Sequence, residues 1–269
     1  MQTHKPPVIV LMTDFGLQDP YVGIMKGVIS TIAPHTTLID LTHGITPQNI
    51  LHGAIVLATS YQWFPEGSVF LSVVDPGVGT ARRALLLETS TGFFIAPDNG
   101  LLAQIMKEAD IRSCHAITNP DFMLPNLSTT FHGRDLFAPA AAHIAAGVPP
   151  AEAGPEISPD TCTKLDVPVY CKNRNNGEWY GEILYADIYG NLVTSIPNSL
   201  PCEGTGSWLL GTAQSGGIEL RQTYGDVEPG EPVAYRGSAG YLELAVRNGN
   251  AATAFQAVSG DRVTLQGPR

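Results

Sequence analysis

The amino-acid sequence predicts an α/β N-terminal domain with a mostly parallel sheet, followed by a small antiparallel β-barrel or sandwich as C-terminal domain. Three observations carry this prediction. Short apolar runs alternate with helical-period segments through the first half, the pattern of strand–helix–strand units. Past Pro149 and Pro150 a tract rich in Pro, Gly and Asp extends to about Leu165. Beyond it come only short strand-like runs separated by turn residues, the signature of a small β fold. The domains are therefore expected at 1–168 and 169–269.

In chain order, Val8 to Met12 is a fully apolar strand candidate. Asp19 and Pro20 suit an N-cap and first helical residue, and Tyr21, Ile24, Met25, Val28, Ile29 and Ile32 keep a helical period until Pro34. Thr37 to Leu41 reads as a second strand. Thr46 and Pro47 repeat the cap signal ahead of a helix reaching about Trp63. Val69 to Val74, Ala84 to Glu88 and Phe93 to Ala96 are further strands. Helices are expected over Leu101 to Ala109 and Leu136 to Ala146, the latter stopped by Gly147. In the second half, strands are expected at Glu182–Ala186, Leu192–Ile196, Ser207–Leu210, Gly217–Leu220, Pro232–Tyr235, Tyr241–Val246 and Arg262–Gln266. Turn signals such as Tyr189-Gly190-Asn191 and Pro229-Gly230 separate several of them.

Composition narrows the function classes. The 269 residues are 43% hydrophobic and 15% charged, enough for a substantial core. A formal net charge of -10 without any basic run argues against nucleic-acid binding, because neutralising phosphates needs clustered Lys and Arg. The four cysteines, Cys114, Cys162, Cys171 and Cys202, form no CxxC pair and are expected to be reduced thiols. Val8 to Met12 is too short for a signal-peptide core or a membrane span, so no membrane association and a cytoplasmic location are expected.

In the first half, polar residues recur where strands end. Thr13-Asp14, Thr42-His43, Asp75 and Asp98-Asn99 each follow a strand candidate, and ligands of open α/β sheets bind at the carboxyl ends of strands. Singly, each suits a helix N-cap or a turn; sharing one edge, they suit a site. The segment Asp75-Pro-Gly-Val-Gly-Thr-Ala-Arg82 leaves a buried strand on a carboxylate and ends on arginines 82 and 83. It lacks both the P-loop ending and a dinucleotide fingerprint. His132, next to glycine and ahead of a helix, suits either a cleft or a bond to its own loop, and Asp135 suits the N-cap of that helix. His43 reads as a turn residue and His52 as a helix-surface or core residue. No HExxH-type spacing supports a metal site.

These motifs together resemble the S-adenosylmethionine hydroxide adenosyltransferases, the adenosine-forming S-adenosylmethionine hydrolases related to fluorinase and chlorinase. The matching pieces are Thr13-Asp-Phe-Gly16 with Asp19-Pro-Tyr21, Thr42-His-Gly-Ile-Thr-Pro47 with Asn49, and Asp75-Pro-Gly-Val-Gly79 with Arg82. Ala96-Pro-Asp-Asn-Gly100, Phe131-His-Gly-Arg-Asp135, Tyr189-Gly-Asn-Leu-Val-Thr194 and Gly237-Ser-Ala-Gly-Tyr-Leu-Glu243 follow in order. The resemblance implies a catalytic trio of Asp75, Arg82 and His132, with Asp14 on the ribose. It implies Asp187 and Ser238 near the methionine, Asn191 and the backbone around Val246 near adenine, and Glu243 in the same substrate-binding motif. It also implies a homotrimer with substrate at the subunit interface.

The reaction expected from that resemblance is hydrolysis of S-adenosyl-L-methionine to adenosine and L-methionine. Arg82 would stabilise hydroxide-like character in a water, His132 would bond the same oxygen, and Asp75 would orient the network. Asp14 would turn C5′ towards the water for in-line displacement. No metal or organic cofactor is expected. The alternatives are a halogenase using chloride or fluoride, an adenosine or S-adenosylmethionine binding protein without significant turnover, and a metal-dependent phosphohydrolase.

Overall fold

The computed structural model describes residues 6–173, 177–200 and 208–267. Two compact units divide the chain, Met1–Leu165 and Asp166–Arg269.

The first unit is built on a six-stranded sheet: β1 (Val8–Thr13), β2 (Thr37–Thr42), β3 (Ser68–Val73), β4 (Ala84–Thr89), β5 (Gly92–Pro97) and β6 (Ile111–Ala116). The order is β2-β1-β3-β5-β4-β6. The β1–β2, β1–β3 and β3–β5 pairs are parallel, and β4 runs antiparallel to both its neighbours. Helices α1 (Tyr21–Ile32), α2 (Ile50–Ser60), α3 (Ala103–Glu108) and α4 (Ala138–Ala145) complete the unit.

The central strands β1, β3, β5 and β4 are buried on both faces, which explains their nearly unbroken apolar runs. Along β1, Ile9 and Leu11 join a core with Met25 and Ile29 of α1 and Ala141 of α4. Their alternates Val10 and Met12 join a second core with Ala54 and Leu57 of α2 and Ile105 of α3. The period of two thus sends successive side chains into two different cores.

Among the described residues the second unit forms an eight-stranded sheet of β7 (Cys171–Lys172), β8 (Trp179–Ala186), β9 (Leu192–Pro197), β10 (Leu209–Thr212), β11 (Ile218–Arg221), β12 (Pro232–Arg236), β13 (Tyr241–Val246) and β14 (Arg262–Gln266). Pairing of β14 with β8 closes the sheet into a barrel and leaves β7 outside the ring. Closure removes the free edges of the ring strands. Ile183, Leu192, Leu210, Leu244, Val263 and Leu265 fill its interior. The barrel is antiparallel except for the parallel β11–β12 pair.

Several expectations need correction. Pro20, not Asp19, stands at the N-cap of α1, without a side-chain cap bond. Helix α2 starts at Ile50, where Asn49 Oδ1 accepts from His52 N at 2.9 Å; Thr46 instead bonds the His52 ring. Asp135 lies inside a π-helical turn, Gly133–Phe137, that leads directly into α4. Strands β6 and β7 and the short helix α5 (Ala251–Ala254) had no expected counterpart. Cys114, Cys162 and Cys171 are free thiols, whereas Cys202 and the expected strand start at Ser207 lie outside the described residues. No helix among the described residues is long and apolar enough to cross a membrane.

Candidate active site

Parallel pairing sets the edge on which the polar residues gather. Strands β1 and β3 are in register through Thr13 and Val73, so Asp14 and Asp75 leave the sheet at the same end. Strands β2 and β5 deliver His43 and Asp98 there as well.

At the centre lies Arg82. Its Nε stands 3.0 Å from both carboxylate oxygens of Asp75, and its Nη2 also donates to Asp75 Oδ2. The same Nη2 lies 2.9 Å from His132 Nδ1. Both members of the ion pair are sheltered, with side chains 9% and 4% exposed for Arg82 and Asp75. The ring of Phe137, 5.1 Å from the guanidinium carbon, backs the cation. Nη1 has no partner among the described residues, which leaves two N–H donors for a ligand.

Backbone geometry brings the Asp75 loop and the His132 loop together. Gly79 has φ +77°, and a Cβ there would sit 2.3 Å from the Thr129 carbonyl oxygen. Only glycine allows this approach. Asp135 then secures the second loop: it is 1% exposed and accepts from Ser128 N at 2.7 Å and Arg134 Nη2 at 2.9 Å. Burial pushes its carboxyl up, but the Arg134 guanidinium and the Ser128 N–H outweigh this and hold it below the usual range.

His132 is 8% exposed. Burial, followed by the neighbouring Arg82 charge, lowers its pKa below the ordinary histidine value, against smaller opposing effects of Asp75, Asp135 and the Ser128 backbone. The ring is neutral at neutral pH.

Asp14 is half-buried. Its Oδ2 accepts from Gln48 N at 2.7 Å, and Gln48 adopts a left-handed φ of +64° to make that bond. Phe15, Tyr21 and Phe131 form an edge-to-face trio with centroids 5.2–6.1 Å apart, tying the Asp14 loop to the His132 loop. Beneath it, Thr13 Oγ1 lies 2.8 Å from His43 Nδ1, and His43 Nε2 lies 3.0 Å from Asp40 Oδ1, within ion-pair distance but not aligned for a hydrogen bond. This resembles a hydroxyl–imidazole–carboxylate relay. The Thr13 hydroxyl is fully buried, however, and accepts from Phe15 N at 3.2 Å, so the array holds the loop instead of attacking anything.

Asp98 stands apart from this group. Its Oδ2 accepts from Arg83 Nε at 2.7 Å and its Oδ1 from Thr163 N at 2.8 Å, so it clamps the segment that ends the first unit. Among the described residues no three His, Cys, Asp or Glu side chains group as a metal-holding cluster.

In the second unit, the β8–β9 turn carries Asp187 and Asn191. Asp187 accepts from Tyr189 N, Asn191 N and Asn191 Nδ2 at 2.8–2.9 Å. Gly190 (φ +84°) presses the turn onto Asn250, whose side chain a Cβ would meet at 2.1 Å. Ser238 lies exposed in the turn between β12 and β13, Glu243 is buried in β13, and Val246 ends that strand. Tyr224 and Tyr235, which no sequence motif singled out, connect Asn191 to Glu243. Phe137 and Ser128 were likewise missed around the first-unit trio, and Arg134 stands in the Phe131-His-Gly-Arg-Asp135 motif without an expected role. Phe137 falls among apolar helix residues, and the Ser128 and Arg134 contacts carry no spacing signal.

Comparison with known proteins places these features in a family. Residues 9–154 match the SAM hydroxide adenosyltransferase N-terminal domain and residues 181–264 the corresponding C-terminal domain. The chain is 38% identical to the (R)-S-adenosyl-L-methionine hydrolase of Salinispora tropica, with 96% of this chain and 97% of that protein covered. It is 30% identical to a fluorinase of an Actinoplanes species, with 98% and 99% covered. A solved structure of an uncharacterized conserved protein from Thermotoga maritima superposes with a TM-score of 0.86 at 35% identity, covering 96% of this chain and 99% of that one. The chain belongs to the SAM hydroxide adenosyltransferase family.

Proposed function

We propose that this protein hydrolyses S-adenosyl-L-methionine, in the (R)-sulfonium form for which its relatives are named, to adenosine and L-methionine. The observation that carries this reading is the sheltered Asp75–Arg82–His132 array, at whose centre Nη1 has no partner among the described residues. A halide ion arrives already anionic, whereas water must be drawn towards hydroxide, and a fixed guanidinium supplies that pull.

The magnitudes decide how much Arg82 is asked to do. Bringing water from a pKa of about 15.7 to near 7 is worth about 12 kcal/mol. A cation about 3 Å from the oxygen, at an effective dielectric of about 20, supplies about 5 kcal/mol. The remainder falls to the positive sulfonium of the substrate, which attracts the same oxygen, and to alignment of the reacting atoms. Arg82 Nη1 donates to the oxygen, Asp75 fixes the guanidinium fork, and His132 accepts from Nη2 and holds the fork's other side. Asp14 holds the ribose hydroxyls. The oxygen–C5′ bond forms as the C5′–sulfur bond breaks. The electron pair goes to sulfur, giving neutral methionine, and the proton lost from water passes to solvent.

Asp187 and Ser238 are proposed at the methionine, and Asn191 with the Val246 backbone at the adenine. The scheme uses no cofactor. The homotrimer is part of the proposal: light scattering at three times 28.6 kDa supports it and a 28.6 kDa species overturns it. The decisive experiment is turnover in ¹⁸O-water with chloride present. Adenosine labelled at its 5′-hydroxyl supports hydrolysis; chlorodeoxyadenosine, or no product, overturns it.

A further inference from the structure

Five polar side chains of the second unit form one hydrogen-bonded line. Asp187 Oδ2 accepts from Asn191 Nδ2 at 2.8 Å, and the same Nδ2 donates to the Tyr224 hydroxyl at 3.1 Å. The Tyr224 hydroxyl bonds that of Tyr235, which donates to Glu243 Oε2. Tyr235 and Glu243 are direct partners in the register of β12 and β13. Gly237 leaves the space: a Cβ there would lie 1.9 Å from Glu243 Oε1.

Proton counting gives the line a direction. Asn191 Nδ2 can only donate, so the Tyr224 oxygen accepts and passes its own proton to Tyr235. Tyr235 in turn donates to the carboxyl of Glu243. Each hydroxyl accepts once and donates once, and such lines strengthen cooperatively. Asp187 accepts the second Nδ2 proton and favours the same amide orientation without deciding it alone. What remains of Asn191 is Oδ1, an acceptor with no partner among the described residues.

We infer that Tyr235 and Glu243 are positioning residues that act through Tyr224 to lock the Asn191 carboxamide with its oxygen alone turned to the ligand, so that the site selects a purine bearing an amino group over one bearing a carbonyl. This rests on the proposal that a nucleoside binds beside Asn191. Burial raises the phenol pKa values of Tyr224 and Tyr235, which keeps both protons in place for the line. Without the Tyr235 hydroxyl, the Tyr224 proton is free to turn towards Asn191 and stabilise the opposite amide orientation. That orientation would offer N–H groups to the ligand.

The test uses Tyr235→Phe, which keeps the ring packing and removes one hydroxyl, and Glu243→Gln, whose amide oxygen still accepts from Tyr235. Two readouts apply. In the ligand-free protein, the Asn191 side-chain amide resonances should shift and exchange faster in Y235F and stay close to wild type in E243Q. By calorimetry, the preference for adenosine over inosine should fall about tenfold in Y235F, the equivalent of one ordinary neutral hydrogen bond. The KM for S-adenosylmethionine should rise while kcat stays within about twofold. Unchanged Asn191 resonances in Y235F would overturn the relay. Shifted resonances with an unchanged adenosine–inosine ratio would overturn its role in selection. Failure of the parent protein to release adenosine would count against the proposed function instead, because the resonances report on the relay with no ligand present.

Discussion

Arg82 Nη2 and His132 Nδ1 lie 2.9 Å apart, and a guanidinium has only donors. The imidazole must therefore accept at Nδ1 and carry its proton on Nε2. His132 is thus a neutral ring held against a permanent cation, and Nδ1 is not available to take a proton from water. The positive charge at the centre belongs to Arg82 alone.

Replacing Arg82 tests that division of roles. Arg82→Ala should cut kcat by well over tenfold while S-adenosylmethionine still binds. Arg82→Lys keeps the charge but loses the fork that engages Asp75 and His132 together. It should also lose at least tenfold in kcat, with KM changed by no more than a few-fold. Steady-state kinetics on both variants decides; a lysine enzyme with wild-type kcat would mean that charge suffices and the fork is incidental.

The pH profile follows from His132. Its pKa is lowered by burial and then by Arg82, so protonation begins below the ordinary value of 6.5. A protonated ring would place a second cation and a second donor against Nη2 and break the bond. Turnover should be level for this group above pH 7 and decline on the acid side with an apparent pKa below 6.5. His132→Asn keeps an acceptor that does not titrate in this range, and it should flatten that limb. An acid limb of the same position and steepness in the variant would assign it to another group.

Gly79 and Gly77 make a matched pair on the Asp75 loop. A Cβ at Gly79 meets the Thr129 carbonyl at 2.3 Å in a left-handed backbone, whereas one at Gly77 meets nothing nearer than Thr80 Oγ1 at 3.6 Å. Gly79→Ala should cost about 1–2 kcal/mol from the backbone alone and push the two loops apart. A shift of about 1 Å can cost about 100-fold in rate. Gly77→Ala should stay near wild type in both thermal midpoint and kcat. Equal effects of the two substitutions would show that the loop contact does not set the site.

What the residues revealed before folding, and what they hid, divides along physical lines. Val8 to Thr13 is legible because a strand buried on both faces must be apolar at every position. Strand β6 is not, since it lies at the sheet edge and carries Arg112 and Ser113 among its side chains. The trio of Asp75, Arg82 and His132 came through motif resemblance; nothing in the spacing shows that Arg82 sits between the other two. Asp98 occupies a site-like position at a strand end yet is spent on Arg83 and Thr163, a partner 65 residues away. Thr46 looks like a cap, but the left-handed Gln48 leaves that duty to Asn49. Tyr224 and Tyr235 acquire meaning only when the pairing of β13 with β9 and β12 brings Glu243 and Asn191 to either end of them.

His52 carries a stability prediction independent of catalysis. Its Nδ1 accepts from Thr46 N at 3.1 Å and lies 3.1 Å from Thr46 Oγ1, so a proton there would displace a donor from a buried site. Burial pushes its pKa down to about 4 from 6.5. Between those values the unfolded chain binds a proton that the native state refuses. Stability is therefore full above pH 6.5 and falls as pH drops towards 4, by about 3 kcal/mol in all and by about 2 kcal/mol at pH 4.5. His132, shifted in the same direction, adds to the slope. His52→Gln retains an acceptor for Thr46 but does not titrate, so the difference in urea-derived stability between pH 7 and pH 4.5 should shrink by about 2 kcal/mol. An identical difference in the variant would mean that Thr46 and the surrounding core accommodate a charged ring, and that the acid sensitivity of the fold originates elsewhere.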